Sequence, residues 1–287
     1  MADAHAKPHH DYHLVPASPW PFIGSMSAFV MAVGAVMWMK AMPLLGLKLG
    51  PLVFGAGFIG VLYTMYGWWA DVVKESQQGD HTPVVSLHLR YGMIMFIASE
   101  VMFFVAWFWA YFDASLFPGE ARQYMRTELT GGHWPPNGIK TFDPFHLPLL
   151  GTMVLLLSGT TVTAAHHYIV EGNRDSAKSY LWATVVLGAL FTCLQAYEYG
   201  HAAFKFSGNI YGATFFMATG FHGFHVIIGT IFLFVCALRL YKASHLTPQK
   251  HFGFEAAAWY WHFVAVVGLF LFASIYVLGH NWAAGGH

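Results

Sequence analysis

Long apolar segments dominate this sequence, and each is close to the length that a helix needs to cross a lipid bilayer. A hydrocarbon core of about 30 Å is spanned by roughly 20 apolar residues in a helix. Seven such segments are present, at residues 20–42, 51–69, 91–112, 147–170, 180–199, 213–238 and 256–278. The sequence therefore predicts an all-α integral membrane protein with seven transmembrane helices.

Composition supports a membrane protein and argues against several other classes. Hydrophobic residues make up 56% of the chain and charged residues only 10%, which is too little polar surface to cover a soluble globule. Tryptophan and tyrosine crowd the ends of the apolar segments, where amphipathic rings favour the headgroup level. The 14 basic residues balance the 14 acidic ones, so charge gives no reason to expect a nucleic-acid partner.

The order of the segments suggests four regions. A polar, histidine-rich arm (1–19) precedes helices 1 and 2 (20–72), an interfacial linker (73–90) and a bundle of helices 3 to 7 (91–287). The arm and the even-numbered loops carry eight of the 14 lysine and arginine residues, which predicts a cytoplasmic N-terminus. The connections are short except for residues 113–146, so no extramembrane segment is large enough for an enzyme domain.

Glu100 is a carboxyl group in the middle of an apolar segment, FIASEVMFF. It lies nine residues inside the third segment, which places it about 14 Å deep at 1.5 Å per residue. An ionised acid at that depth costs about 2.5–3.5 kcal/mol. We therefore expect Glu100 to be protonated or paired, as a proton-linked site or as a hydrogen-bonded contact in the protein interior.

His222 and His225 lie one turn apart in the sixth segment, also near the middle of the membrane, within ATGFHGFHVIIGT. Two histidines alone rarely complete a metal or haem site. His262 is only about a turn and a half inside the seventh segment, and the two histidines of the fourth segment are at its cytoplasmic end. Interhelical hydrogen bonding is therefore favoured over ligation, with Glu100 a candidate partner, and no metal site is predicted.

A second polar group is predicted at the cytoplasmic membrane face. His166 and His167 end the fourth segment, and Glu255 precedes the seventh at the same face. Glu255 is a candidate partner for one of the two histidines. Neither a glycine-rich phosphate loop nor a nucleophile with a neighbouring base is apparent in the loops, so catalysis by this chain alone is not predicted.

The segment WWADVVKESQQGDHTPVVSLHLR, between helices 2 and 3, mixes indoles with cations and histidine. Cations and histidine can hold a phospholipid phosphate while indoles lie beside the glycerol. An ordinary interfacial belt explains the same composition.

Several long, ungapped motifs resemble subunit III of the haem-copper (aa3-type) cytochrome c oxidases. They are HTPVV, RYGMIMFIASEVMFFVAWFWAYF, WPPNGI, LLLSGTTVTAAHH, FTCLQAYEY, ATGFHGFHVIIGT and HFGFEAAAWYWHFV. The resemblance extends from about Ser18 to the C-terminus. It implies a non-catalytic subunit without redox cofactors, bound to catalytic subunit I in a complex that also contains subunit II. That complex oxidises cytochrome c, reduces oxygen and pumps protons, with haem and copper in the partner subunits.

The resemblance also implies a lipid site and a supporting role. Helices 1 and 2 would diverge from the other five around a V-shaped cleft filled with phospholipid. The residues expected to line it are Trp69, Glu75, His81, Arg90 and Arg239. The subunit would sustain proton uptake and protect the catalytic subunit from inactivation during turnover. Its expected location is a bacterial inner membrane, or alternatively the mitochondrial inner membrane.

Three positions depart from the family pattern. Ala265 and Gly268 stand where an aspartate and a tryptophan are usual, and Gly151 replaces a usual asparagine. The main alternative function is a proton-coupled transporter that uses Glu100 with His222 or His225 as a relay. Discontinuous helices or internal repeats would favour a transporter. A membrane metalloenzyme is a further alternative.

Overall fold

The computed structural model describes residues 11–42, 47–120, 124–242 and 245–282. Within them, seven helices are long and apolar enough to cross a membrane, as the sequence predicts. The helices are α1 Trp20–Met39, α2 Gly50–Gln78, α3 Pro83–Leu116, α4 Tyr124–Thr130, α5 Leu147–Val170, α6 Arg174–Gly200, α7 Ile210–Arg239 and α8 Phe252–Leu271. A π-helical turn, Phe272–Val277, continues α8. The short helix α4 lies in the one long connection.

Several helices extend beyond the apolar segments that mark them. Within the predicted interfacial linker, residues 73–90, α2 continues to Gln78 and α3 begins at Pro83. Gly79, with φ of 93°, ends α2 in the left-handed conformation that favours glycine. Asn173 caps α6 by accepting a hydrogen bond from the Ser176 amide. Apolarity thus locates the membrane crossing, whereas caps and turn residues set the helix ends.

The chain divides into two compact units, Met1–Leu89 and Arg90–His287. Residues 11–19 of the predicted arm are non-helical, and residues 1–10 lie outside the described part of the chain.

In the first unit, α1 and α2 pack closely through glycine. A Cβ on Gly34 would lie 2.2 Å from the Phe54 amide nitrogen, and one on Gly57 would lie 2.3 Å from that of Met31. Small residues of this kind allow helix backbones to approach in a membrane. The Trp20 indole also donates a hydrogen bond of 2.6 Å to Asp71.

The core of the second unit is built around Trp261 of α8, which is 0% exposed. Its indole donates to the Ser158 hydroxyl of α5 at 2.9 Å. Gly188 of α6 and Gly229 of α7 make room for the ring, since a Cβ on either would lie within 2.8 Å of it. These contacts bring α5, α6, α7 and α8 together around one buried aromatic side chain.

Candidate functional site

The predicted intramembrane carboxyl has a partner on another helix of the second unit. Glu100 projects from α3, and its Oε2 lies 2.8 Å from Nε2 of His225 on α7. The Glu100 side chain is 23% exposed and that of His225 is 9% exposed. The sequence-based expectation that Glu100 is paired across helices therefore matches the observed contact.

The hydrogen bonds of His225 define how many protons the pair holds. Its Nδ1 lies 2.7 Å from the Phe221 carbonyl oxygen, which can only accept, so Nδ1 carries a hydrogen. One further proton is shared between Nε2 and the Glu100 carboxyl. The pair is then either a neutral acid beside a neutral imidazole or a carboxylate beside an imidazolium. Both forms are neutral overall, which removes the cost of an isolated buried charge.

Aromatic rings surround the pair. The His225 ring centroid is 4.9 Å from that of Phe104 and 6.0 Å from that of Phe103. Tyr260 stacks near the same imidazole at 6.2 Å. Water-poor surroundings of this kind strengthen a hydrogen bond and make separation of its partners costly.

His222 has a different role from His225, although one helical turn separates them. It is 2% exposed, and its Nε2 donates to the Val264 carbonyl of α8 at 3.0 Å. The interhelical hydrogen bond predicted for His222 is therefore present, but to α8 and not to Glu100. Nearby, a Cβ on Gly268 would lie 2.9 Å from His222 Nε2, so this packing leaves no room for the tryptophan that the resemblance implies at this position.

The other two departures from the family pattern are less constrained by their neighbours. Ala265 is a buried core residue of α8. A Cβ on Gly151 would lie 3.5 Å from the Phe191 ring, which is an ordinary contact distance.

Glu255, a candidate partner for His166 or His167, is hydrogen-bonded to an arginine. It accepts hydrogen bonds from Arg90 of α3, at 3.1 and 3.2 Å from Nε and 2.9 Å from Nη2. A planar guanidinium offers several fixed donors to a carboxylate, which an imidazole cannot match. His166 packs against the ring of His251, at 5.4 Å between centroids, and His167 lies beside it in sequence at the end of α5.

The residues predicted to bind lipid fall in both units. In the first unit, the Trp69 ring is exposed, Glu75 lies 3.8 Å from His13, and His81 is in the connection between α2 and α3. In the second unit, Arg90 binds Glu255. Arg239 ends α7 and donates from Nε to Nδ1 of His245 at 3.4 Å.

Sequence reasoning missed one buried acid. Glu198 of α6 is 4% exposed and accepts a hydrogen bond of 2.6 Å from the Tyr276 hydroxyl. It lies two residues before the end of α6, where an acid is expected to reach the aqueous interface. Its burial depends on the π-helical turn that carries Tyr276, and helical periodicity does not predict that turn.

Side chains of the types that bind metals are dispersed in the described ranges. These ranges contain no group of three or more histidine, cysteine, aspartate or glutamate side chains placed to hold a metal ion. Both ring nitrogens of His225 are already engaged, as is Nε2 of His222.

In the part of the chain that the structure describes, seven helices suited to cross a membrane and a neutral carboxyl–imidazole pair define a multi-pass integral membrane protein whose internal polar groups contact one another. Residues 10–280 match the family model described as cytochrome c oxidase subunit III. Cytochrome c oxidase subunit 3 of Arabidopsis thaliana is 54% identical over 94% of this chain and 97% of its own length. That of Hippopotamus amphibius is 52% identical over 94% and 98% of the two chains. The liverwort Marchantia polymorpha has one that is 54% identical over 95% and 98%.

This chain therefore belongs to the cytochrome c oxidase subunit III family. It is a multi-pass membrane protein of a respiratory-chain oxidase and forms a complex with other oxidase subunits.

Proposed function

We propose that this chain is a non-catalytic subunit, without a redox cofactor of its own, that supports the catalytic subunit of the oxidase. The observation that carries the proposal is the Glu100–His225 pair. Its imidazole nitrogens are committed to a backbone carbonyl and to the carboxyl, so this histidine is occupied by a structural contact. Electron transfer is then left to haem and copper in the partner subunits, with subunit I the direct neighbour and subunit II in the same complex.

The supporting role that we propose has two parts, sustained proton uptake and protection from inactivation during turnover. Polar side chains at the membrane face where α5 ends and α8 begins favour the first part. Arg90 and Glu255 form an ion pair there, with His166 and His251 in ring contact. Fixed charges and imidazoles at one face raise the local concentration of exchangeable protons.

Phospholipid binding is a further element of the proposal, and each unit by itself has residues suited to a headgroup. The exposed indole of Trp69, together with Glu75 and His81, suits the glycerol and headgroup level in the first unit. Arg90 and Arg239 provide guanidinium groups in the second. Arg90 uses Nε and Nη2 for Glu255, which leaves its Nη1 for a phosphate oxygen.

We place the complex in a bacterial inner membrane with the N-terminus in the cytoplasm, and the mitochondrial inner membrane is the alternative. Transport by this chain alone is less favoured, because α3 and α7 are continuous helices through Glu100 and His225. Alternating-access transporters instead build their sites at breaks in helices.

Removal and return of this chain in the purified oxidase test the proposal. The depleted complex should keep its haem and copper, measured by optical spectra and elemental analysis, but lose activity sooner and take up protons more slowly. Adding back the unaltered chain should restore both properties. A depleted complex with unchanged catalytic lifetime and unchanged proton uptake would contradict the supporting role. Loss of haem or copper on depletion would contradict the proposal that this chain supplies no ligand to them.

A further inference from the structure

A second polar site, separate from Glu100 and His225, lies inside the second unit. It is a cavity of about 30 Å³ lined by residues of α5, α6, α7, α8 and the π-helical turn. The polar side chains that line it are Thr152, Gln195, Glu198, Thr219, His222 and Tyr276. Such a concentration of polar groups is unusual in the interior of a membrane protein and calls for hydrogen-bond partners.

Glu198 has one oxygen atom that its protein neighbours do not satisfy. The Tyr276 hydroxyl donates to Oε1 at 2.6 Å, and the Gln195 amide donates to the same atom at 3.3 Å. Within the part of the chain that the structure describes, no hydrogen bond reaches Oε2. Glu198 as a whole is only 4% exposed, so this oxygen has little access to bulk solvent and calls for a hydrogen-bond partner at the cavity.

His222 also presents an unused atom to the cavity. Its Nε2 faces the Val264 carbonyl oxygen, an obligatory acceptor, so the ring hydrogen is on Nε2. Nδ1 of the neutral ring is therefore an acceptor, and no donor among the described residues reaches it.

The threonine hydroxyls cannot supply the missing donors. Thr152 donates to the Pro148 carbonyl at 2.9 Å, and Thr219 donates to that of Phe215 at 2.7 Å. Since the hydrogen of Thr219 is committed, the Tyr199 hydroxyl must be the donor in its 2.7 Å contact with Thr219. The cavity is thus left with acceptor capacity at His222 and Glu198, and a small molecule with several O–H bonds fits this requirement.

We propose that this cavity is a binding site for one or two ordered water molecules, which hydrogen-bond to Oε2 of Glu198 and Nδ1 of His222. A water molecule requires about 10–15 Å³ and two to four polar partners. The cavity volume of 30 Å³ is sufficient for one or two water molecules. The two unused atoms and the side-chain carbonyl oxygen of Gln195 provide the polar partners. Water both donates and accepts, so it satisfies His222 whichever protonation state Glu198 adopts.

The position of the cavity indicates how water enters it. Glu198 is two residues before the end of α6, or about 3 Å at 1.5 Å per residue. Thr219 of α7 contacts Tyr199, the residue after Glu198, and His222 lies one helical turn further into α7. The site therefore runs inward from the membrane face where α6 ends and α7 begins, and its water exchanges with that aqueous phase.

A cryo-EM map of the intact oxidase at a resolution that shows water is the first test. We expect one or two density peaks within hydrogen-bond distance of Glu198 Oε2 and His222 Nδ1. A cavity without density would overturn the proposal. This measurement uses the unaltered chain, so it does not depend on whether any variant folds.

Variants provide the second test, read by infrared difference spectra of the complex in H₂¹⁶O and H₂¹⁸O. Glu198→Gln keeps a polar partner and should retain the isotope-sensitive band of buried water. Glu198→Leu removes the polar partner and should lose that band. The control Glu171→Gln changes an exposed acid beyond the end of α5 and should leave the band unchanged. An unchanged band in Glu198→Leu would sink the assignment. Neither result bears on the supporting role proposed above.

Discussion

Nε2 of His225 lies 2.8 Å from Oε2 of Glu100, and this contact joins α7 to α3 across 125 residues of sequence. It explains why an acid is tolerated inside an apolar helix. With Nδ1 of His225 bound to the Phe221 carbonyl, the carboxyl and the imidazole share one proton and the pair is neutral in either form. Burial therefore disfavours the separated groups, whereas the paired groups are tolerated in the apolar interior.

Breaking this pair should destabilise the second unit. We expect Glu100→Leu or His225→Leu each to lower the free energy of unfolding by about 1–3 kcal/mol, because each leaves a buried polar atom without a partner. The double variant should cost less than the sum of the single variants, measured by denaturant unfolding of the purified complex.

The matched control makes the same comparison of single and double variants with His222 in place of His225. His222 donates to Val264 and not to Glu100, so Glu100→Leu and His222→Leu should have additive effects. Additive effects for Glu100 and His225 would contradict the pair.

A hydrophobic carbodiimide should label Glu100. Its side chain is 23% exposed, and one of the two forms of the pair is a protonated carboxyl, the species that carbodiimides attack. Labelling in intact membranes, mapped by peptide mass spectrometry, should disappear in Glu100→Gln. Glu198, at 4% exposed, is an internal control that should react far more slowly. Absence of label on Glu100 would mean that the carboxyl is ionised beside the imidazolium or sealed from the reagent.

Much of this architecture can be predicted from the sequence, because membrane helices are defined locally. Run length and bounding residues predict all seven spans, and the depth of Glu100 within its segment predicts that it needs a partner. Which histidine is that partner depends on helix rotation. His222 and His225 are both candidates by depth, but only His225 faces α3.

The parts that could not be predicted depend on contacts between distant segments. Arg90 and Glu255 are 165 residues apart. Nothing in the sequence near Glu255 indicates that its carboxylate binds an arginine and not a nearby histidine. Glu198 was missed because an acid near a helix end normally reaches water. The Tyr276 hydroxyl that holds it inside comes from another helix.

Glycines at the contact of α1 with α2 should be intolerant of even one added methyl group. Gly34→Ala would place Cβ 2.2 Å from the Phe54 amide nitrogen, and backbone cannot move aside as a side chain can. We expect a loss of several kcal/mol, in the range of other severe overpacking.

Gly55→Ala on the same hairpin is the matched control. Its added Cβ meets nothing within 4 Å, so stability should hold or rise by up to about 1 kcal/mol through helix propensity. Thermal unfolding of the detergent-purified complex, with limited proteolysis of the first unit, compares the two variants. Equal behaviour of Gly34→Ala and Gly55→Ala would show that α1 and α2 do not approach as closely as described.

The connection after α7 should loosen as the pH falls. Burial, followed by the positive charges of Arg239, Lys242 and Arg174, lowers the pKa of His245 below its usual value of 6.5. The unfolded segment then binds a proton more readily than the folded one, so stability is complete above about pH 6.5 and declines as the pH drops through that value. Protonation also removes the lone pair of Nδ1 that accepts from Arg239 Nε at 3.4 Å.

Backbone amides of residues 245–251 should therefore exchange with D₂O faster at pH 5.5 than at pH 7.5 after correction for intrinsic rates, as measured by mass spectrometry. His245→Gln should abolish that difference, because the amide keeps an acceptor but does not titrate. A pH effect of the same size in His245→Gln would assign the loosening to another group.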